Sequence, residues 1–232
     1  MAFQVRSSSS NSASIGTAIS VSAPAGTTTG DVVIVSVHGN GNTTIVDNNG
    51  GTSFTEDIND YSPNPTSGHT VSIFSRRIIA GDPTTYNFTL GATNRWSIVA
   101  ITFQEPNASS IYDVAPNTAN AANRDDSTAS TINAPTITTA SDNAIHVVCG
   151  YSDDGAGGAM TSPATYTSRG VPVNEPQTVS TKTITPAGAT GALTVTATTN
   201  SPMIALSFAV KAPAAGGGSI FTPYRTLMGV GI

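Results

Sequence analysis

Hydrophobic positions along this chain fall in short alternating or β-branched runs, each closed by Gly, Pro, Asn or Asp. They are TAISVSAP (17–24), DVVIVSV (31–37), HTVSIFSRRII (69–79), YNFTL (86–90), WSIVAITF (96–103), NAIHVV (143–148), ALTVTATT (192–199) and MIALSFAV (203–210). Branched Thr, Val and Ile side chains favour the pleated surface of a sheet. The three-and-four spacing of an amphipathic helix is almost absent. The pattern predicts an all-β chain.

The runs also repeat. APAGTTTGDVVIVSVHG (Ala23 to Gly39) aligns with APTITTASDNAIHVVCG (Ala134 to Gly150), setting Pro24 on Pro135, Asp31 on Asp142, Ile34 on Ile145 and Gly39 on Gly150. RRIIAGDPTTYNFTL (Arg76 to Leu90) aligns with TKTITPAGATGALTV (Thr181 to Val195), after which Ala100 falls on Ala205 and Phe103 on Phe208. FQV near the start has a counterpart in IYDV (Ile111 to Val114). The expectation is an internal duplication with halves 1–106 and 107–213, together forming a jelly-roll or Greek-key-like β-sandwich. One compact sandwich and two in tandem both fit the strand count. The single sandwich is preferred because no Gly/Pro/Ser-rich linker marks Glu105-Pro106-Asn107. The polar stretch 115–130, aligned with Ser7 to Ser14, reads as a repeated loop.

Charge narrows the picture. Charged residues are 10% of the 232 positions and the net charge is −5, against about 25% charged in ordinary domains. The nine Lys and Arg residues are scattered, so the basic face that phosphates require is missing and nucleic acid is not an expected partner. No run reaches the length of a spanning helix, so no membrane partner is expected. The first residues lack the apolar core of a secretory signal, and export by that route is not expected. The one cysteine, Cys149, reads as strand packing.

Candidate chemistry is sparse. His38, His69 and His146 show no metal-ligand spacing, and no serine stands in a nucleophile elbow. Neither phosphate-cradling glycine motif occurs. Paired acids, Asp57 and Asp60, Asp125 and Asp126, Asp153 and Asp154, read as turn residues rather than a glycosidase pair. The loops VDNNGG (46–51) and SDDGAGG (152–158) are the best places for a calcium ion, but neither has EF-hand spacing. Trp96 opens an apolar strand and reads as core. The sequence therefore predicts no catalytic residues, no metal site and no cofactor.

The tail after Pro213 belongs to neither half. Gly216 to Gly218 form a hinge, and the arm 214–232 then carries Ile220, Phe221, Tyr224, Leu227, Met228, Val230 and Ile232. Extended at about 3.3 Å per residue, Ser219 to Ile232 reach roughly 45 Å, enough to touch a neighbouring subunit. Ordering each backbone unit costs about 1–2 kcal/mol, which half-apolar composition does not offset without a partner's groove. Those seven residues are the expected partner-binding set; the alternative is that the arm packs back on its own sandwich as a final strand.

The pattern SVSAPAGTTTGDVVIVSV, followed by AGDPTTYNFTLGATNRWSIVAITFQEPNASSIYDV and its degenerate second copy, resembles β-sandwich virion proteins of tailed bacteriophages. These include capsid decoration (cement) proteins, head fibres and minor tail proteins. The resemblance spans residues 18–213 and brings no catalytic residue. It implies a multi-copy structural protein, assembled in the host cytoplasm and located on the virion. Its partners would be the major capsid protein, other virion subunits or further copies of itself. The alternative it leaves open is a tail or fibre adhesin binding host glycans through the loops Asp57 to Asn64 and Ser152 to Gly158.

Overall fold

A computed structural model describes residues 3–61, 68–107, 109–116, 122–153, 158–172 and 174–213. The predicted arm, with all seven of its apolar residues, lies outside the described residues. Within them the chain is all-β, with two antiparallel sheets and no helix.

The first sheet has the order β1 (Val5–Ser22), β6 (Thr85–Phe103), β2 (Val32–Asn40), β5 (His69–Arg77), β4 (Thr55–Tyr61), with β3 (Ile45–Asp47) also pairing β6. The second has the order β10 (Met160–Thr161), β13 (Leu193–Val210), β9 (Ala144–Ser152), β12 (Gln177–Ile184), β11 (Thr167–Gly170). Both β7 (Tyr112–Val114) and β8 (Ala122–Ala134) pair β13 as well. Strand by strand the two orders correspond, with β7 and β8 together holding on β13 the place that β1 holds on β6. The ladder register differs, however. The sequence alignment would set His146 opposite Ala205, as Val35 is set opposite Ala100, but His146 stands opposite Ala209.

The central strands explain the layering. β2 and β9 are buried on both faces, so each sheet needs cover on two sides. The inner faces meet in one core: Val32, Ile34, Val71, Ile73, Val99, Ile101 and Phe103 pack against Ile145, Val147, Cys149, Tyr151, Ile204, Leu206, Phe208 and Val210. The outer faces are covered by the long strands themselves. β1 and β6 shift register around Gly16. Their far limbs carry Ile19, Val21, Tyr86, Phe88 and Leu90 into a second core with Val33, Val35 and Val37. β8 and β13 do the same with Ile132, Ala134 and Val195 over Val148 and Ala205. Trp96 and Cys149 lie in these cores, as their apolar contexts predict.

Two glycines make the outer layers possible. A Cβ on Gly39 would lie 2.7 Å from Leu90 Cδ2. One on Gly150 would press still closer on Val195 Cγ1 and lie 3.1 Å from Met160 Cε. In each half the covering limb passes directly over a residue without a side chain.

Two readings of the sequence need correcting. Ser7 to Ser14 and most of 115–130 are strand rather than loop, in β1 and β8. Among the described residues β1 is an edge strand with one sheet neighbour, β6. Its polar side chains are used locally: Ser7 Oγ donates to Ala25 O, Ser9 Oγ to Ser22 O and Asn11 Nδ2 to Ser20 O at 2.9 Å. The near limb's hydroxyls and amide thus satisfy carbonyls of the far limb and the loop after it, a role that edge strands often give to charges. Likewise Asp57 and Asp60 belong to β4, and Asp125 and Asp126 to β8, not to turns. β4 borders its sheet, where charged residues are favoured over the interior.

Gly150→Ala is expected to destabilise the fold by about 1–3 kcal/mol, because the branched, stiff Val195 cannot yield. Gly39→Ala should cost less, since its obstacle is the tip of a flexible Leu. Urea midpoints of the two variants against the parent test this; equal midpoints would contradict the packing described.

Candidate functional site

The inner face changes character along its length. Reading β2 inward-facing positions in order gives Val32, Ile34, Ser36, His38 and Asn40; β5 gives Ile73, Val71 and His69; β6 gives Phe103, Ile101, Val99, Ser97 and Arg95. β9 ends in Tyr151 and then Asp153, and β12 is preceded by Glu175 and opens with Gln177. Five strands thus turn from apolar to polar at the same end of the interface between the sheets.

The polar end is a connected network. Ser36 Oγ lies 2.8 Å from Tyr151 OH and donates to Gln177 Oε1 at 2.8 Å. Gln177 Nε2 donates to Ser97 Oγ at 2.8 Å, and Asn40 Nδ2 to Asp153 Oδ1 at 2.6 Å. Arg95 Nε donates to Glu175 Oε2 at 3.1 Å. His38 Nε2 is 3.0 Å from His69 Nδ1 and 3.9 Å from Glu175 Oε1. Every one of these bonds except the His38–His69 contact joins one sheet to the other. At the border of the interface Tyr112 OH adds a further tie to Asp57 Oδ2, at 2.6 Å.

Burial sets the protonation states. Glu175 is wholly enclosed; desolvation, reinforced by the negative charge of Asp153, pushes its carboxyl up to about 8 against the pull of Arg95. His38, also enclosed, is driven well below its usual value by desolvation and by neighbouring His69. Buried charge is costly unless paired, so the network holds a neutral imidazole beside a carboxyl that keeps its proton into neutral pH.

A second constellation joins Ser207, His146 and Tyr166. His146 Nε2 lies 2.5 Å from Ser207 Oγ and Nδ1 lies 2.7 Å from Tyr166 OH. The order hydroxyl, imidazole, third group is that of a nucleophilic relay. Here, though, Ser207 is fully enclosed and the third group is a phenol, raised to about 12 by burial. An orienting anion is absent from this set, and burial lowers His146 to about 4. The arrangement satisfies a buried imidazole.

The remaining sequence candidates resolve individually. In the 46–51 loop, Asp47 spends its oxygens on the chain itself, accepting from Asn49 N at 3.0 Å and Phe54 N at 2.7 Å. Most of the 152–158 loop lies outside the described residues, as do the side chains of Asp60, Asp125 and Asp126. Among the described residues no group of three or more His, Cys, Asp or Glu is placed to hold a metal ion. The sequence missed the polar end of the interface. Its one signal was the alternation Ser36, His38, Asn40 within an otherwise apolar strand. No protein-family model, curated protein or solved structure matches the chain.

The network gives stability a definite pH dependence. A Glu whose folded value is raised loses stabilisation as pH climbs from its unfolded value, about 4.5, to about 8. Buried His146, lowered from 6.5 to about 4, acts oppositely, costing stability as pH falls through that window. Between 6.5 and 8 only the Glu175 effect operates of these two. The parent protein should therefore lose about 2 kcal/mol of unfolding free energy across it. Glu175→Gln is expected to flatten that slope in chemical denaturation at pH 6.5 and 8.5; an unchanged slope would remove Glu175 as its source.

Proposed function

We propose that this is a non-enzymatic structural protein of a bacteriophage virion, a capsid decoration protein that docks through its C-terminal arm. The observation that carries the reading is where the reactive side chains lie. His38, His69, His146, Ser207, the raised Glu175 and Cys149 are all buried. β1, the long edge strand, presents hydroxyls in place of charge. A body of this kind is suited to being displayed. The arm's Ile220, Phe221, Tyr224, Leu227, Met228, Val230 and Ile232 supply a contiguous apolar stretch of sequence for docking. Docking of an apolar segment in a partner's groove is an established mode of recognition, and many copies on a lattice raise the effective concentration of each.

The same proposal includes the origin of the fold: a jelly-roll or Greek-key-like β-sandwich built by internal duplication, with the halves 1–106 and 107–213 packed face to face. The matched strand orders support it, as do Gly39 and Gly150, aligned in sequence and each lying beneath an apolar side chain of a covering limb. On this reading the four-residue difference in ladder register arose after duplication.

Removal of residues 216–232 is expected to leave a soluble sandwich with unchanged thermal unfolding that no longer joins capsids in a co-sedimentation assay. A truncated form that still saturates particles would refute docking through the arm.

A further inference from the structure

At the end of the first half, the loop between β1 and β2 (residues 23–31) and the loop between β5 and β6 (residues 78–84) border a cleft of about 810 Å³. Sites for small molecules fall at about 300–1,000 Å³. Main-chain bonds hold the two loops together at its base: Ala23 N donates to Thr84 O at 2.9 Å, Gly30 N to Ile78 O at 3.0 Å and Ile78 N to Asp31 O at 2.8 Å. The cleft is therefore a braced feature of the loops rather than a gap between unconnected ones.

Its lining has a definite chemistry. Tyr86, fully buried, and Asp82, nearly so, belong to it, and neither Tyr86 OH nor Asp82 Oδ2 has a protein partner within hydrogen-bonding distance. Buried polar atoms left in this state are costly, on the order of 1–3 kcal/mol each. The phenol is a donor at any physiological pH, since burial and then the Asp82 charge raise it to about 12. Thr29 and Thr84 place exposed hydroxyls on the two walls, while Ile78 and the 54%-exposed Ile79 give one wall an apolar surface.

The charge pattern selects among ligands. Asp82 and Glu105 both line the cleft. The neighbouring cations are each committed: Arg76 to Asp82 Oδ1 and Thr52 O, lying over the Phe54 ring, Arg6 to Asp31 and Thr28, and Arg77 to the carbonyls of Gly30 and Asn107. Phosphorylated and carboxylated ligands would meet two acids and no available base. A ligand with several hydroxyls and an apolar C–H face meets a complementary surface, because one hydroxyl can donate to a carboxylate and accept from a phenol.

We propose that this cleft binds a neutral saccharide unit, with Tyr86 and Asp82 as its deep polar anchors and Thr29 and Thr84 as its rim. The site goes beyond the decoration reading and does not depend on it. It also lies apart from the arm and from both loops of the adhesin alternative.

The test is amide chemical-shift mapping of the full-length ¹⁵N-labelled chain. The probes are the methyl glycosides of glucose, galactose and mannose, N-acetylglucosamine, and glucose 6-phosphate as the charged control, each at tens of millimolar. At least one neutral probe is expected to shift amides of 25–30 and 79–84, with glucose 6-phosphate leaving them in place. Tyr86→Phe, which keeps the ring and the fold, should weaken that binding roughly tenfold, the loss of one buried hydrogen bond. Thr84→Val should weaken it less. Silence from every neutral probe, shifts that map elsewhere, equal binding of the phosphate, or an affinity unchanged in Tyr86→Phe would each overturn the proposal. Particle binding by the truncated chain is read separately, so failure here leaves the docking proposal standing and failure there leaves this one standing.

Discussion

A strand that is apolar on both faces has to be covered twice, and this requirement governs the molecule. β2 and β9 carry such sequences, VVIVSVHGN and AIHVVCGYS, and both are buried along their length, save the half-buried Asn40 that ends β2. Continuous apolar runs of this kind are typical of parallel sheets with helices on both faces. This chain has antiparallel sheets and no helix among the described residues. It therefore covers the inner faces with each other and the outer faces with the bent limbs of its own longest strands. The lengths of β1, β6 and β13, 18, 19 and 18 residues, follow from that double duty, since one limb completes a sheet and the other lies over it. Gly39 and Gly150 follow as well, because a limb can pass this closely only over a missing side chain.

An apolar interface between two sheets specifies burial but not alignment, since branched aliphatic surfaces tolerate sliding and repacking. The polar end supplies what the apolar end lacks. Ser36, Gln177 and Ser97 form a chain of directional bonds from one sheet to the other and back, and a shift of either sheet would break them in an enclosed space where water cannot substitute. Arg95 adds a hydrogen bond to Glu175 from a position about one third exposed. Buried ionisable groups of this sort seldom add net stability compared with an apolar filling. What they contribute is a unique mutual placement of the two sheets. The cost is visible in Glu175 and His38, whose ionisation is suppressed in opposite senses by the same enclosure.

How much of this the sequence discloses depends on how local each feature is. Strands carried by contiguous apolar runs are legible, as is the packing of Trp96 and Cys149, because the immediate neighbours of each residue already state its environment. Edge strands are less so. The Ser-rich start of β1 and the charged start of β8 look like loops, since a strand with a single sheet partner needs no apolar alternation. The same holds for Asp57 and Asp60 in β4. The polar network is the least legible of all. His38, His69, Arg95, Tyr151 and Glu175 come from well-separated stretches of chain, and only the pairing of both sheets brings them together. His146 illustrates the limit: its Ser207 partner lies 61 positions away, and whether the pair is a relay or a packed imidazole turns on burial, which no spacing encodes.

The loop ends of the two halves meet one requirement. Loops joining strands at a sandwich end must satisfy their own backbone groups or leave them to solvent. In the second half this is done by main-chain pairing through Thr138, Thr139 and Thr190. In the first half, bonds from Ala23 N to Thr84 O, Gly30 N to Ile78 O and Ile78 N to Asp31 O do the same. Asp31 adds its side chain: it holds Arg6 and accepts from Thr28 N and Glu105 N. Bonds at both ends of the 23–31 loop thus fix it against the 78–84 loop, and Asp82 and Tyr86 line the cleft that the two border. Such a cleft belongs to the loops, the part of a β-sandwich that can change without disturbing either sheet.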